Sequence, residues 1–254
     1  MNKTEKIKTH CKQLRLSAIA NQLEEIVMDA QSNQITYLDF AQLLFKQEIN
    51  HRMEKDRQRR IKQAGLPLFH NLDRYDYSFD NGMSKQQLAQ LRELKWLEQN
   101  FNVILMGPSG TSKTYIAAGL CFDAIKQGYR AYFKTMEDLV GVLRLKDVTR
   151  AADAEYKRIM KAHLLVIDDI MIFPINQQDA VAFFNLINDL HDKASLIITT
   201  NKSPKQWADI LKDTVLTTAI LDRVLYRCEV IKLEGDSYRL LNRKTIFSET
   251  KKMN

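Results

Sequence analysis

The stretch Asn102–Gly119, NVILMGPSGTSKTYIAAG, limits what this chain can fold into more than any other part of it. A short apolar run leads into a glycine-containing turn, the turn ends in Lys113-Thr114, and alanine-rich sequence suited to a helix follows. Strand, loop and helix in that order suit a nucleoside triphosphate, because the loop aims backbone N–H groups at phosphate oxygens and the helix N-terminus adds partial positive charge. In the pattern G-x-x-x-x-G-K-[ST], Gly107 opens the turn, Lys113 reaches the outer phosphates and Thr114 places its hydroxyl on Mg²⁺. The candidate ATP-binding segment is therefore Gly107, Pro108, Ser109, Gly110, Thr111, Ser112, Lys113, Thr114 and Tyr115. Ser112 stands where the pattern has its second glycine, and a side chain there costs roughly 1–2 kcal/mol if the backbone turns left-handed. A plain strand-to-helix turn carrying a lysine would read the same locally, so the rest of the chain has to decide.

Three later stretches fall where a phosphate-loop ATPase needs them. Leu164–Ile167 is a continuous apolar run closed by Asp168-Asp169, as expected of a strand buried on both faces. A carboxylate at that strand's C-terminal end lies beside the phosphate loop, which gives Asp168 the Mg²⁺ shell and Asp169 the attacking water. An ordinary acidic turn is the alternative. Leu196–Thr200 reads as another strand, and Asn201 at its end would lie near the γ-phosphate, since capping the helix at Pro204 falls more naturally to Ser203. Thr214–Arg227 reads as a helix, followed by a strand over Glu229–Leu233. That helix carries Arg223 and Arg227, and an arginine there lies too far along the chain to be needed for the local phosphates. It could reach a neighbouring subunit's γ-phosphate, or simply pair with Asp222.

The 254 residues allow one α/β domain and a smaller accessory piece. The formal charge of +7 favours a polyanionic partner, though a plain soluble enzyme also tolerates it. Cys11, Cys121 and Cys228 are far apart and lack zinc or disulfide spacing. No signal-peptide core or membrane-length apolar run is present, so the expected location is the cytoplasm, with no membrane partner. Apolar residues from Ile7 to Ala30 follow the helical period as one helix or two, and a further helix runs from about Thr36 into HRMEKDRQRRIK. Arg52, Lys55, Arg57, Arg59, Arg60 and Lys62 crowd this last stretch; they form a solvated face or a surface for DNA phosphates. Gly65-Leu66-Pro67 ends the helix, giving a helical module over 1–66 and an ATPase domain over 67–254. Tyr75, Tyr77 and Phe79 either cover an adenine ring or seal the domain edge, and a capping box at Ser84 and Gln87 opens a helix expected to reach Leu97. Arg130–Thr135 reads as a strand, and the helices Met136–Leu145 and Ala152–Ala162 are accompanied by the basic residues Arg144, Lys146 and Arg150.

Taken together, MGPSGTSKTYIAAGL, LLVIDDI followed by FP, IITTN, AILDRVLYRCEVI and EGDSYRL resemble the IstB family of insertion-sequence transposition helper ATPases. These are AAA+ proteins of the initiator clade, related to the DnaC helicase loaders, and the resemblance runs from about residue 5 to residue 240. It implies a five-stranded parallel sheet of order 5-1-4-3-2 sandwiched by helices, behind a small all-helical N-terminal module. It also implies ATP and Mg²⁺ as cofactors, homo-oligomers with ATP at subunit interfaces, and delivery of remodelled double-stranded DNA to a partner transposase. Lys113 and Thr114 then take the Walker A roles, Asp168 and Asp169 the Walker B roles, Asn201 that of first sensor and Arg223 that of an arginine finger acting in trans. The helices from Met136 to Ala162 would include a DNA-facing insertion. The helical lid after the last strand looks absent, and with it the usual second sensor arginine. Ser112 in place of glycine and Asp169 in place of glutamate lead to an expectation of slow hydrolysis. A single-strand-specific helicase loader and a DNA-binding scaffold with a decayed ATPase are the competing readings.

Overall fold

The computed structural model describes residues 2–170 and 175–243, so Phe173-Pro174 of the resembling pattern lie outside the described residues. The chain divides into two compact units, Met1–Arg59 and Arg60–Asn254. The sequence places the division after residue 66, at the end of a helix. The helix does end there, with Gly65 at a φ of 73°, but the units part inside it.

The first unit holds α1 (Lys3–Gln13), α2 (Ser17–Ser32) and most of α3 (Tyr37–Ala64). The amphipathic stretch forms two helices because the chain turns at Arg15, whose φ is 58°. Cys11, Ile19, Ala20 and Leu23 make a small core with Leu16, Val27 and Leu44 against it. Glu48 is buried and accepts the N–H groups of Ala18 at 2.9 Å and Ile19 at 3.4 Å. It thereby satisfies donors that the start of α2 would otherwise leave unpaired.

The second unit begins with a 3-10 turn at Leu72–Arg74, then α4 (Lys85–Arg92) and α5 (Lys95–Glu98). The capping box at Ser84 and Gln87 forms. The expected single helix through Leu97 breaks at Leu94, which is left-handed at a φ of 60° and buries its side chain, while the Trp96 indole donates to the Leu91 carbonyl at 2.8 Å. Beyond it come β1 (Asn102–Met106), α6 (Lys113–Lys126), β2 (Ala131–Thr135), α7 (Met136–Leu145), α8 (Arg150–Ile159) and β3 (Leu164–Asp168). The chain continues with α9 (Gln177–Leu190), β4 (Ser195–Thr200), α10 (Pro204–Leu211), α11 (Thr214–Leu225), β5 (Cys228–Lys232) and α12 (Tyr238–Leu241).

The five strands form one parallel sheet in the order β2-β3-β4-β1-β5, which is the order the family resemblance implies. Alternate residues face opposite layers. Val103, Leu105, Leu164, Val166 and Ile197 pack with α4 and α6, whereas Ile104, Leu165, Ile167, Leu196 and Ile198 pack with α7, α9, α10 and α11. Both faces being covered is why these strands read as unbroken apolar runs. Parallel register brings the loop after β1 and the ends of β3 and β4 to a single edge, with Met106 opposite Thr200 and Ile167 opposite Ile198. Trp207 is buried, as a packing residue should be. Among the described residues no helix is long and apolar enough to cross a membrane.

Candidate active site

Gly107 follows β1 and donates its N–H to the Thr200 carbonyl at 3.1 Å, so the loop starts anchored to β4. Ser112 caps α6 with a φ of 70° and a ψ of 14°, the left-handed conformation that its serine makes costly. Lys113 opens the helix with its side chain largely buried, and its Nζ donates to the carbonyls of Gly107 at 2.8 Å and Pro108 at 2.5 Å. Burial pushes its pKa down, against the pull of the Asp169 and Asp168 charges. Its direct hydrogen bonds go to neutral peptide carbonyls, so the positive charge inside the loop stays available to a phosphate.

The loop is hemmed in by the tail that follows β5. A Cβ on Gly107 would lie 2.0 Å from the Leu233 carbonyl oxygen, and one on Gly110 would lie 2.0 Å from the Ser237 Oγ. Tyr238 donates its N–H to the Gly110 carbonyl at 3.1 Å, and Arg239 donates from Nη2 to the Ser109 hydroxyl at 2.9 Å. Sequence reasoning treats the second arginine as lost with the lid, yet the tail brings Arg239 to the loop; the SYR triplet within EGDSYRL was the only available sign. On the other flank Asn81 donates to the Thr111 carbonyl at 3.0 Å and is held by the Tyr75 hydroxyl. Tyr75 is buried and Phe79 meets Tyr238 edge-on at 5.3 Å, so these two aromatics seal this edge.

Beneath the loop, the Thr114 hydroxyl donates to the Asp168 carboxylate at 3.0 Å from one oxygen and 3.1 Å from the other. Thr199, fully buried on β4, donates from Oγ1 to Asp168 Oδ1 at 2.5 Å and accepts the Asp169 N–H at 2.8 Å. Burial pushes the Asp168 pKa up; the hydrogen bond from Thr199 opposes this and the neighbouring Asp169 charge adds to it. Asp169 follows β3 at a φ of 57° and is exposed, so the backbone leaves the strand direction at this residue. Thr114 and Asp168 offer adjacent hard oxygen donors, the donor set that Mg²⁺ takes alongside phosphate and water. Thr199 enters sequence reasoning only as part of IITTN; a polar side chain inside an apolar strand was its one signal.

Asn201 is exposed directly after β4, on the same edge as the loop. Arg223 is elsewhere. It lies in the last turn of α11, before β5 starts, and shares a small cleft with Asn100, Asn102, His191, Tyr226 and Arg227 at the opposite edge of the sheet. Its Nε donates to Asn188 at 2.8 Å, its Nη1 to the Ala219 carbonyl at 2.9 Å, and its guanidinium lies 4.8 Å from the Phe184 ring centroid. Asn102 ties this helix to the sheet, donating to the Val224 carbonyl at 2.9 Å and accepting the Leu196 N–H at 2.9 Å.

The basic candidates are dispersed. Arg52 is held by Glu48 at 2.9 Å and by the Arg15 carbonyl at 2.8 Å; Arg57 pairs with Glu54 and Arg59 with Asp56 on the exposed helix surface. Lys55 and Lys62 are exposed, and Arg60 donates to the Gly128 carbonyl. Arg144 makes a two-pronged pair with the buried Asp179, fastening α7 to α9. The Lys146 ammonium lies 4.4 Å from the Tyr156 ring centroid, and Arg150 is exposed at the start of α8.

Comparison with known proteins gives the chain's family and fold. The family model described as IstB-like ATP binding protein matches residues 9–246. An insertion sequence IS21-like ATP-binding protein of Bacteroides fragilis is 47% identical over 239 residues, which cover 94% of this chain and 91% of that protein. Among solved structures, DnaI gives a TM-score of 0.55 at 18% identity, covering 65% of this chain and 90% of that one. The DnaC helicase loader gives 0.51 at 21% identity, covering 64% and 96%. At these identities the two structures bear on the fold alone.

Proposed function

The chain belongs to the IstB-like ATP-binding family, an ATPase family of AAA+ fold, and on that premise we propose that it multimerises on double-stranded DNA, remodels it and delivers it to a partner transposase in insertion-sequence transposition. The observation that carries the reading is the convergence of Lys113, Thr114, Asp168 and Thr199 at the edge where β1, β3 and β4 end. In this reading Lys113 and the first N–H groups of α6 bind the β- and γ-phosphates, and Arg239 adds a second positive charge at the loop rim. Thr114 and Asp168 would hold Mg²⁺, which when bound neutralises charge on the phosphoryl oxygens. Asp169 orients the attacking water, and Asn201 hydrogen-bonds that water or a γ-phosphate oxygen.

Arg223 lies at the sheet edge opposite the loop, which supports a role toward the nucleotide of an adjoining copy. ATP gripped by one subunit and completed by another couples nucleotide binding to assembly, because a ligand bound only by the assembled form stabilises it. Hydrolysis then dissolves the multimer. The strained Ser112 and the short Asp169 side chain favour slow turnover that DNA accelerates. Lys55, Arg60, Lys62, Lys146 and Arg150 supply positive charge toward duplex phosphates; Arg52, Arg57 and Arg59 would join them on leaving Glu48, Glu54 and Asp56, while Arg144 acts mainly as the fastener of α7.

The test is ATP turnover with and without duplex DNA in wild type and Lys113→Ala, alongside electron microscopy of DNA-bound multimers with ATP present or removed. Wild type should be stimulated by duplex and should assemble only with nucleotide, and Lys113→Ala should do neither. Equal turnover in the two proteins would remove the assignment, and preference for single strands in a competition at fixed salt would favour a helicase loader.

A further inference from the structure

The turns that lead into β2 and β3 lie at the edge of the sheet away from the phosphate loop, and basic side chains collect there. Arg60 donates from Nη1 to the Gly128 carbonyl, Arg130 donates from Nε to the Lys161 carbonyl, and Lys161 itself is exposed. His163 lies beside both arginines. Its Nδ1 accepts the Arg130 N–H at 3.1 Å, and its ring meets Tyr129 edge-on at 5.7 Å. Burial lowers its pKa, and the charges of Arg130 and then Arg60 lower it further.

The way these side chains are anchored matters. Arg92 and Arg144 are docked on carboxylates, so their charge is cancelled on the spot. A guanidinium docked on a peptide carbonyl is fixed in direction, keeps its charge and has further N–H groups to offer. Among the described residues, Arg60, Arg130 and Lys161 form no ion pair with a carboxylate. Holding like charges together without a counter-charge is unfavourable unless an anion is there to receive them.

We propose that Arg60, Arg130 and Lys161 form a contact for the phosphate backbone of duplex DNA, independent of base sequence and belonging to the ATPase unit itself. The inference rests on reading the chain as a DNA-binding ATPase, and adds where that unit touches its DNA. β3 links the contact to the chemistry: it starts one residue after His163 and ends on Asp168, a separation of about 13 Å at roughly 3.3 Å per residue. DNA bound at one end of β3 thus bears on the strand that carries the candidate Mg²⁺ ligand at the other.

The experiment measures binding of a labelled random-sequence duplex to full-length protein across a salt series. It compares wild type, an Arg60→Ala/Arg130→Ala variant, and an Arg60→Gln/Arg130→Gln variant that keeps donors for the two carbonyls without the charge. Losing two phosphate contacts should reduce the slope of log K against log salt by about 1.8 and weaken binding about tenfold to thirtyfold at about 0.15 M salt. The glutamine variant should lose as much as the alanine variant. Wild-type affinity and slope in the glutamine variant would overturn the proposal. So would a change confined to self-association in DNA-free sedimentation, which would give the corner to a second copy of the chain. A wild type that bound no duplex would overturn the parent reading along with it.

Discussion

Replacing Thr199 with valine tests the architecture of the site without touching any group that contacts nucleotide. The substitution keeps the branched shape and removes one hydroxyl, which donates to Asp168 at 2.5 Å and accepts the Asp169 N–H at 2.8 Å. A hydrogen bond to a charged group contributes about 1.5–3 kcal/mol, and a stranded N–H costs about 1–3 kcal/mol. Allowing for relaxation around the site, the ATPase unit should lose about 2–4 kcal/mol, or roughly 5–15 °C of Tm at about 2–4 °C per kcal/mol. Catalysis should suffer separately, because Asp168 loses the partner that orients it and Asp169 loses the bond that holds its left-handed turn. If about 1.4–2.7 kcal/mol of that positioning is felt in the transition state, kcat falls about tenfold to a hundredfold. The assay is steady-state ATP turnover well below the lowered Tm, with nucleotide affinity measured in parallel and Thr199→Ser as the companion variant. Serine should restore most of kcat, because it retains the hydroxyl, and KM should move little in either protein. Wild-type kcat in Thr199→Val, or a loss confined to KM, would refute the reasoning.

Ser112→Gly should relieve roughly 1–2 kcal/mol of left-handed strain and give back about 0.5–1 kcal/mol as backbone entropy, so thermal melts should show a Tm equal to or a few degrees above wild type; a clear drop would show that the serine stabilises the loop. If Arg223 acts across subunits, Arg223→Ala and Lys113→Ala should each be inactive alone, yet mixing them should recover turnover at interfaces that pair an intact loop with an intact arginine; no recovery at any ratio would place Arg223 outside the reaction. Burial alone would raise the Glu48 pKa, but hydrogen bonds from Arg52 and the Ala18 and Ile19 N–H groups outweigh it and hold the carboxylate below its ordinary range. Its stabilising contribution is therefore complete above the unfolded value of about 4.3 and is lost as pH falls through the lower folded value. Melts of wild type and Glu48→Gln should differ near neutral pH and converge as the pH falls below the ordinary carboxylate range; a gap that persists in acid would remove the carboxylate from that account.

The parallel sheet and the phosphate edge were legible in the sequence for physical reasons. A strand covered on both faces must be apolar throughout, which exposed β1, β3 and β4, and a phosphate loop needs a lysine and a hydroxyl at fixed offsets from its first glycine. The break at Leu94 was hidden because leucine gives no sign of a left-handed turn. Thr199 was hidden because its partner Asp168 lies 31 residues away along the chain and is reached only through strand pairing. Arg239 required knowing that the tail folds back over the loop, and the grip of Arg144 on Asp179 required knowing that α7 and α9 are neighbours. Local chemistry could be read residue by residue, whereas these contacts depend on topology.

The side-chain amide of Asn102 gives the sheet one further property. Its two ends hold the backbone of α11 and the start of β4, while its own backbone begins the strand that runs into the phosphate loop. Asn102 thereby couples the helix that carries Arg223 to the strand that carries the phosphate loop, so a shift of one pulls on the hydrogen bonds that hold the other. If copies line up as proposed, with Arg223 turned toward the next, each would act as a lever on a fixed pivot, and repositioning one phosphate loop would swing that arginine.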